Sequence, residues 1–181
     1  MTTMPLKHRY ITKPADLETL CAQLRDSPRL ALDTEFVGED SFVPKLELIQ
    51  VATERTAAVI DFPAVQAHGS LDPFWEIICD QSIQKVMHAG RQDLDLFAIH
   101  AGQIPKPFFD TQIAAAMVGF GPQVAYANLV QRVHGTKLAK AHTFTNWSAR
   151  PLTDDQLAYA LEDVTFLLAI HDHLRSRLTH L

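Results

Sequence analysis

At 181 residues and 47% hydrophobic, the chain can bury one sizeable core and reads as one domain over residues 1–181. No apolar run reaches membrane-span length and the N-terminus lacks a charged-then-apolar signal pattern, so a soluble, cytoplasmic protein is expected. The net charge of −5 argues against a protein that coats nucleic acid non-specifically, and Cys21 and Cys79, without metal-ligand spacing, read as reduced thiols.

Arg9 to Thr12 has the pattern of an edge strand, and Lys13-Pro14-Ala15-Asp16 opens a helix with Leu17, Leu20, Cys21 and Leu24 on one side. Ser27-Pro28 ends it. Leu30 to Phe36 then alternates as a strand, with Leu30 and Leu32 on one face and Ala31, Asp33 and Glu35 on the other. Two further strands, around Leu46–Val51 and Thr56–Asp61, are joined by the short turn at Thr53-Glu54-Arg55, which implies an antiparallel meander.

After Pro63 the period changes to alternating helices and strands. Leu71–Cys79 reads as a helix, Lys85–His88 as a short buried strand, Arg91–His100 as a helix, Pro107–Asp110 as a strand and Thr111–Val118 as a helix. This alternation indicates parallel βαβ units. Val124–Val133 is helical, residues 135 to 152 form a long loop, and everything from Thr153 is one long helix, with Thr153 as N-cap and Asp154 and Asp155 in its first turn. The expected fold is α/β: a mixed sheet of three antiparallel strands extended by two parallel ones, flanked by helices.

Four carboxylates do not read as ordinary surface. Asp33 and Glu35, spaced i, i+2 on a mostly apolar strand, point the same way and repel unless a cation lies between them or the strand end is solvated. Asp163 shares a helical face with Tyr159, Phe166 and Ile170, so it needs a metal or a salt bridge to an arginine such as Arg150. Asp93, one turn before Phe97, faces a cleft or simply favours a helix N-terminus, whereas Asp95 reads as surface. Charge is also uneven. No Asp or Glu lies between Asp110 and Asp154, where Arg132, Lys137, Lys140 and Arg150 occur, while Asp33, Glu35, Glu39, Asp40, Glu47 and Glu54 crowd residues 33 to 54. An acidic site beside a basic arm suits a metal-dependent enzyme that grips phosphates, and an uneven solvated surface accounts for the pattern equally well.

In order, Asp33-x-Glu35, His88-Ala89-Gly90-x-x-Asp93-Leu94 and Tyr159-x-x-x-Asp163 resemble the three motifs of the DEDDy 3′–5′ exonucleases. With Leu48-Ile49-Gln50 and Asn146-Trp147-Ser148-Ala149-Arg150-Pro151-Leu152, the chain is most similar to the catalytic domain of the ribonuclease D family, from about residue 10 onward. That family carries further helical C-terminal domains that grip RNA, and this sequence stops without them. The resemblance implies an RNase H-like sheet and two divalent ions, Mg2+ or Mn2+, held by Asp33, Glu35, Asp93 and Asp163, with Asp33 bridging both. It also implies a water attacking the last phosphodiester in line, oriented by Tyr159, and release of nucleoside 5′-monophosphates.

Candidate nucleic-acid contacts are Phe36 by stacking, His88, and Lys137, Lys140 and Arg150 to phosphates; Phe36 and His88 read equally as core, and Gln50 and Trp147 as structural. His171 and His173 flank a wet arc and make poor metal ligands. The leading expectation is an exoribonuclease that trims the 3′ ends of tRNA or other small RNA. Alternatives are a nanoRNase acting on very short oligonucleotides, a DNA 3′–5′ exonuclease, or a catalytically inactive RNA-binding module. A homo-oligomer is compatible with any of these. The absence of a glycine-rich loop after the first strand argues against a doubly wound nucleotide-binding protein.

Overall fold

A computed structural model of the chain describes residues 7–38, 43–138 and 146–179; Lys140, one expected phosphate contact, lies outside them, as do Glu39, Asp40 and His142. The elements run β1 (Lys7–Ile11), α1 (Pro14–Leu24), β2 (Arg29–Val37), β3 (Lys45–Ala52), β4 (Thr56–Asp61), α2 (Phe62–Gln66), α3 (Asp72–Cys79) and β5 (Gln84–Met87). They continue through α4 (Arg91–Ala101), β6 (Phe108–Asp110), α5 (Thr111–Met117), α6 (Tyr126–His134), α7 (Asp154–Thr165) and α8 (Leu167–Leu178). No helix among the described residues is long and apolar enough to cross a membrane.

The six strands form one mixed sheet in the order β1-β4-β3-β2-β5-β6. The β2–β3–β4 meander is antiparallel, and β5 and β6 extend it in parallel, as the period change indicates. The edge strand β1 adds a sixth member, parallel to β4. The meander turn is closed by Thr53, whose hydroxyl accepts from the amides of Arg55 and Thr56, both at 3.1 Å. Helices cover both faces, so β4 is buried along its whole length and β3 from Leu46 to Ala52. Leu30, Leu32, Ile49 and Ile60 face the side of α1, α3 and α4, where Phe74 and Phe97 are fully buried. Ala31, Leu48, Val59 and Val86 face α7 and the segment around Trp147 and Leu152. A third cluster joins α5, α6 and α8.

Two helical features depart from the sequence expectation. Asp61 caps the short helix α2, accepting from the Ala64 amide at 3.1 Å, where no helix was expected. The C-terminal helix is broken at Phe166 (φ −101°, ψ −7°), where the Thr165 hydroxyl bonds back to the Leu161 carbonyl at 2.6 Å. Such back-bonding competes with the helix ladder and bends it. Continuing one helical wheel across that break misplaces α8. His171 is therefore not beside a wet arc: it is fully buried, edge-on to Phe109 with ring centroids 4.6 Å apart. Its Nδ1 accepts from Arg29 at 3.0 Å, while His173 is exposed as expected.

β5 pairs with β2 only over Arg29–Ala31, so from Leu32 onward that edge of β2 is uncovered. β2 lies between its antiparallel partner β3 and the parallel strand β5, which the chain reaches only after β4, α2 and α3, and crevices where the strand order changes direction in this way hold the ligands of α/β sheets. The acidic strand end lies there.

Candidate active site

Asp33 and Glu35 project from the same face of β2, and α7 crosses that face carrying Asp163. One carboxylate oxygen from each of Asp33, Glu35 and Asp163 lies within 4.8 Å of the other two. Asp93 arrives from the first turn of α4, is 7% exposed, and accepts from the Thr34 hydroxyl at 2.5 Å. Thr34, alternating with Asp33 and Glu35, faces the other way. The strand thus presents two carboxylates on one face and holds a third, from α4, on the other. The strand register shifts between Glu35 and Phe36, a bulge of the kind that re-aims side chains beside functional sites.

Electrostatics mark the cluster as under strain. Burial, then Asp93, Asp163 and Glu35, push the Asp33 carboxyl well above the ordinary range. Burial and then Asp163 and Asp93 raise Glu35 to about 8, and burial followed by Glu162 raises Asp163 to about 7. Asp93 is raised too, chiefly by burial. The salt bridge from Asp163 to Arg150, the alternative to a metal, is absent among the described residues: Arg150 binds Asp61 instead, through Nε at 2.5 Å and Nη2 at 3.1 Å. Half-buried carboxylates brought together without a cationic side chain among the described residues fit hard divalent cations, which take all-oxygen donor sets.

Tyr159, one turn before Asp163, is half-buried with its ring stacked on Trp147, centroids 6.1 Å apart and planes 29° from parallel. Burial and then Asp163, Glu35 and Asp33 raise its pKa, so the hydroxyl stays protonated beside the acids. Trp147 is held from below: Arg150 Nη1 donates to the Trp147 carbonyl at 2.5 Å, and Ser148 donates to Glu47 at 2.6 Å. Asp61 also accepts from the Tyr10 hydroxyl.

The other expected contacts are placed as follows. Phe36 packs against the α1-side core, across the sheet from the acidic pair. His88 is engaged at both ring nitrogens: Nε2–H donates to the Val124 carbonyl at 3.0 Å and Nδ1 accepts from Thr111 at 2.9 Å. Burial lowers its pKa, which fits that neutral form. Lys137 is exposed. Arg150 is committed to Asp61 and Glu47.

Three groups beside the site escaped the sequence reading. The Tyr126 hydroxyl donates to the Glu162 carbonyl at 3.2 Å, and Asp163 and Asp33 lie near enough to raise its pKa further after burial. Asp110 accepts from the amides of Ala89 and Gly90, both at 3.1 Å, and so holds the turn that launches α4 and Asp93. Thr34 sits within the Asp-x-Glu motif itself, where strand alternation was the available signal.

A family model described as 3′-5′ exonuclease matches residues 8–179. The chain belongs to the 3′–5′ exonuclease family. Among curated relatives, the ribonuclease D of Granulibacter bethesdensis is 44% identical over 93% of this chain and 42% of its own length. The structure of Escherichia coli RNase D matches this exonuclease domain with a TM-score of 0.88 at 38% identity, covering 96% of this chain and 45% of that one. Brucella melitensis NrnC bound to pGG matches with a TM-score of 0.80 at 25% identity, over 98% of this chain and 83% of that one. The likeness to ribonuclease D and the RNase H-like mixed sheet therefore stand. The chain spans less than half the length of the ribonuclease D relatives.

Proposed function

We propose that this domain is a metal-dependent 3′–5′ exoribonuclease that hydrolyses the terminal phosphodiester of RNA and releases nucleoside 5′-monophosphates, as in tRNA or small-RNA trimming. The observation that carries this is the convergence of Asp33, Glu35 and Asp163 within 4.8 Å, with no cationic side chain paired to them among the described residues. These three and Asp93 would hold two divalent cations, Mg2+ or Mn2+. When bound, the cations supply Lewis acidity to the scissile phosphate and the attacking water, and neutralise charge building on the phosphoryl oxygens.

The side chains divide the remaining work. Asp33, whose carboxyl is raised by all three other acids, is near enough to each of them to hold a cation together with them. Glu35 and Asp163 complete one side, and Asp93, fixed by Thr34, approaches from the other. The Tyr159 hydroxyl, kept protonated, orients the attacking water by hydrogen bonding and is too weak an acid to serve as a general base at neutral pH. Substrate phosphates would meet the exposed Lys137. The relatives named ribonuclease D support RNA as substrate, and the NrnC structure with pGG supports a second reading in which the substrate is a very short oligonucleotide.

The test is product analysis on 5′-labelled RNA oligomers from dinucleotides upward, with Mn2+ and with EDTA. A ladder shortening from the 3′ end, abolished by EDTA and by Asp33→Asn in a folded protein, is expected. The preferred length separates trimming from oligonucleotide clearance. Cleavage of DNA alone would replace RNA as substrate, and RNA binding without cleavage under any cation would make the domain a binding module.

A further inference from the structure

Gln50 is fully buried in β3, yet neither Oε1 nor Nε2 of its carboxamide has a hydrogen-bond partner among the described residues. A buried amide left unpaired is destabilising, and a side chain of similar volume such as methionine would avoid the loss. Its surroundings offer no structural reason for an amide. On its face of the sheet Gln50 sits among Leu48, Ala52 and Val59, which pack in the cluster that also holds Trp147, Ala160 and Val164.

The strand register gives the amide a destination. Gln50 lies directly opposite Asp33 across the antiparallel β2–β3 pair, with Val59 on its other side. Directly opposed residues share a face, with Cβ atoms about 5 Å apart. Asp33 is the one polar residue in direct cross-strand register with Gln50. The diagonal neighbour Asp61 on β4 already accepts from Arg150, Tyr10 and the Ala64 amide. A carboxamide N–H aimed at a carboxylate from beneath would fix that carboxylate's rotation, as the outer hydrogen-bond partners of metal-ligating carboxylates do.

We infer that Gln50 is a positioning residue whose Nε2–H donates to Asp33 when the site holds cations, fixing the orientation in which Asp33 ligates. The inference rests on the metal-binding reading proposed above and goes beyond it, since it assigns a role to a buried residue that need not touch cation or substrate.

The experiment measures Mn2+ binding to the whole chain by isothermal titration calorimetry, alongside the thermal midpoint in EDTA, for wild type, Gln50→Met and Gln50→Asn. Methionine removes the amide and keeps the volume; asparagine keeps the amide and withdraws it by one methylene. The expected result is that Gln50→Met melts at or above the wild-type temperature in EDTA while its Mn2+ dissociation constant rises about 10–100-fold. Gln50→Asn, which leaves the core polar, shows the same loss of Mn2+ affinity. A Mn2+ affinity within about twofold of wild type in either folded variant overturns the inference and leaves the metal-site reading intact. Absence of Mn2+ binding by wild type overturns both.

Discussion

Without divalent cation, the domain should lose stability as pH rises through 7 to 8, and the loss should originate in the acidic cluster. In the unfolded chain the carboxyls of Glu35 and Asp163 release their protons near 4.5 and 3.8, whereas in the fold they hold them to about 8 and about 7. Between those limits the folded state carries more protons than the unfolded state, so each increment of pH favours unfolding. Their contribution is fully present below about pH 4 and is lost as pH passes the raised values. Moving Glu35 from 4.5 to about 8 corresponds to about 5 kcal/mol, an order-of-magnitude figure. The contributions of Asp33 and Asp163 do not add to it in full, because the acids repel one another and protonating one eases the next. Against a total stability of about 5–15 kcal/mol, this is enough to make the cation-free domain marginal at pH 8. Buried His88 and His171, whose pKa values are lowered by burial, act in the opposite sense and only as pH falls below about 6.5. Urea unfolding followed by circular dichroism, from about pH 6.5 to about 8.5, in EDTA and again in excess Mg2+, isolates the carboxylates. The midpoint should fall steadily in EDTA and hold nearly level in Mg2+, where the cation replaces the protons. A midpoint independent of pH in EDTA, or an equal slope in Mg2+, would refute the reasoning.

Tyr159→Phe should lower turnover by about 10-fold or more while leaving Mn2+ binding unchanged, because the hydroxyl orients a reactant and the ring retains its stack on Trp147; unchanged single-turnover rates would remove it from the mechanism. Arg150→Met should destabilise the domain by about 3 kcal/mol, since it leaves the buried carboxylate of Asp61 without its cation. Pairing it with Asp61→Asn should recover part of that loss in urea unfolding. Lys85→Met should cost about 3 kcal/mol or more, because the Lys85 ammonium donates to the carbonyls of Asp80, Ile83 and Lys106 at 2.8, 2.6 and 2.7 Å and all three would lose it. Its activity per folded molecule should stay at the wild-type level.

What local periodicity encodes was legible, and what long-range pairing decides was not. The i, i+2 spacing of Asp33 and Glu35 and the i, i+4 spacing of Tyr159 and Asp163 fix which face each pair occupies before any tertiary contact forms. The meander follows from short turns and the parallel strands from intervening helices. Lys85 opens the strand that the sequence reads as buried, and the fold alone supplies what makes its burial possible: carbonyls from two separate loops converge on its ammonium. Arg150 carries the same formal charge as Lys137, so sequence alone offered both as phosphate contacts. Only the fold brings Asp61, 89 residues away, into bidentate contact with Arg150. Phe166 has the right period to continue a helix, and the break is settled by its packing in the cluster with α5 and α6 and by the Thr165 back-bond.

These pairings also explain how a strained site persists in a small fold. Asp33, Glu35, Asp93 and Asp163 repel one another, so the fold must hold them together with other interactions. On one side Thr34 and Asp110 fix Asp93 and the turn before it. On the other, the pairing of Arg150 with Asp61 fastens Trp147 beneath Tyr159, and Tyr126 grips the α7 backbone at Glu162 beside Asp163. The cationic side chain that would neutralise Asp163 is spent on Asp61 instead. Among the described residues that arrangement leaves the acids without a cationic partner, which should make cation-free stability sensitive to pH and would leave the site free to take up a divalent cation. Stability and affinity should therefore trade against each other. A substitution that relieves the repulsion, such as Asp33→Asn, should raise the melting temperature in EDTA and abolish the further rise that Mn2+ gives the wild type.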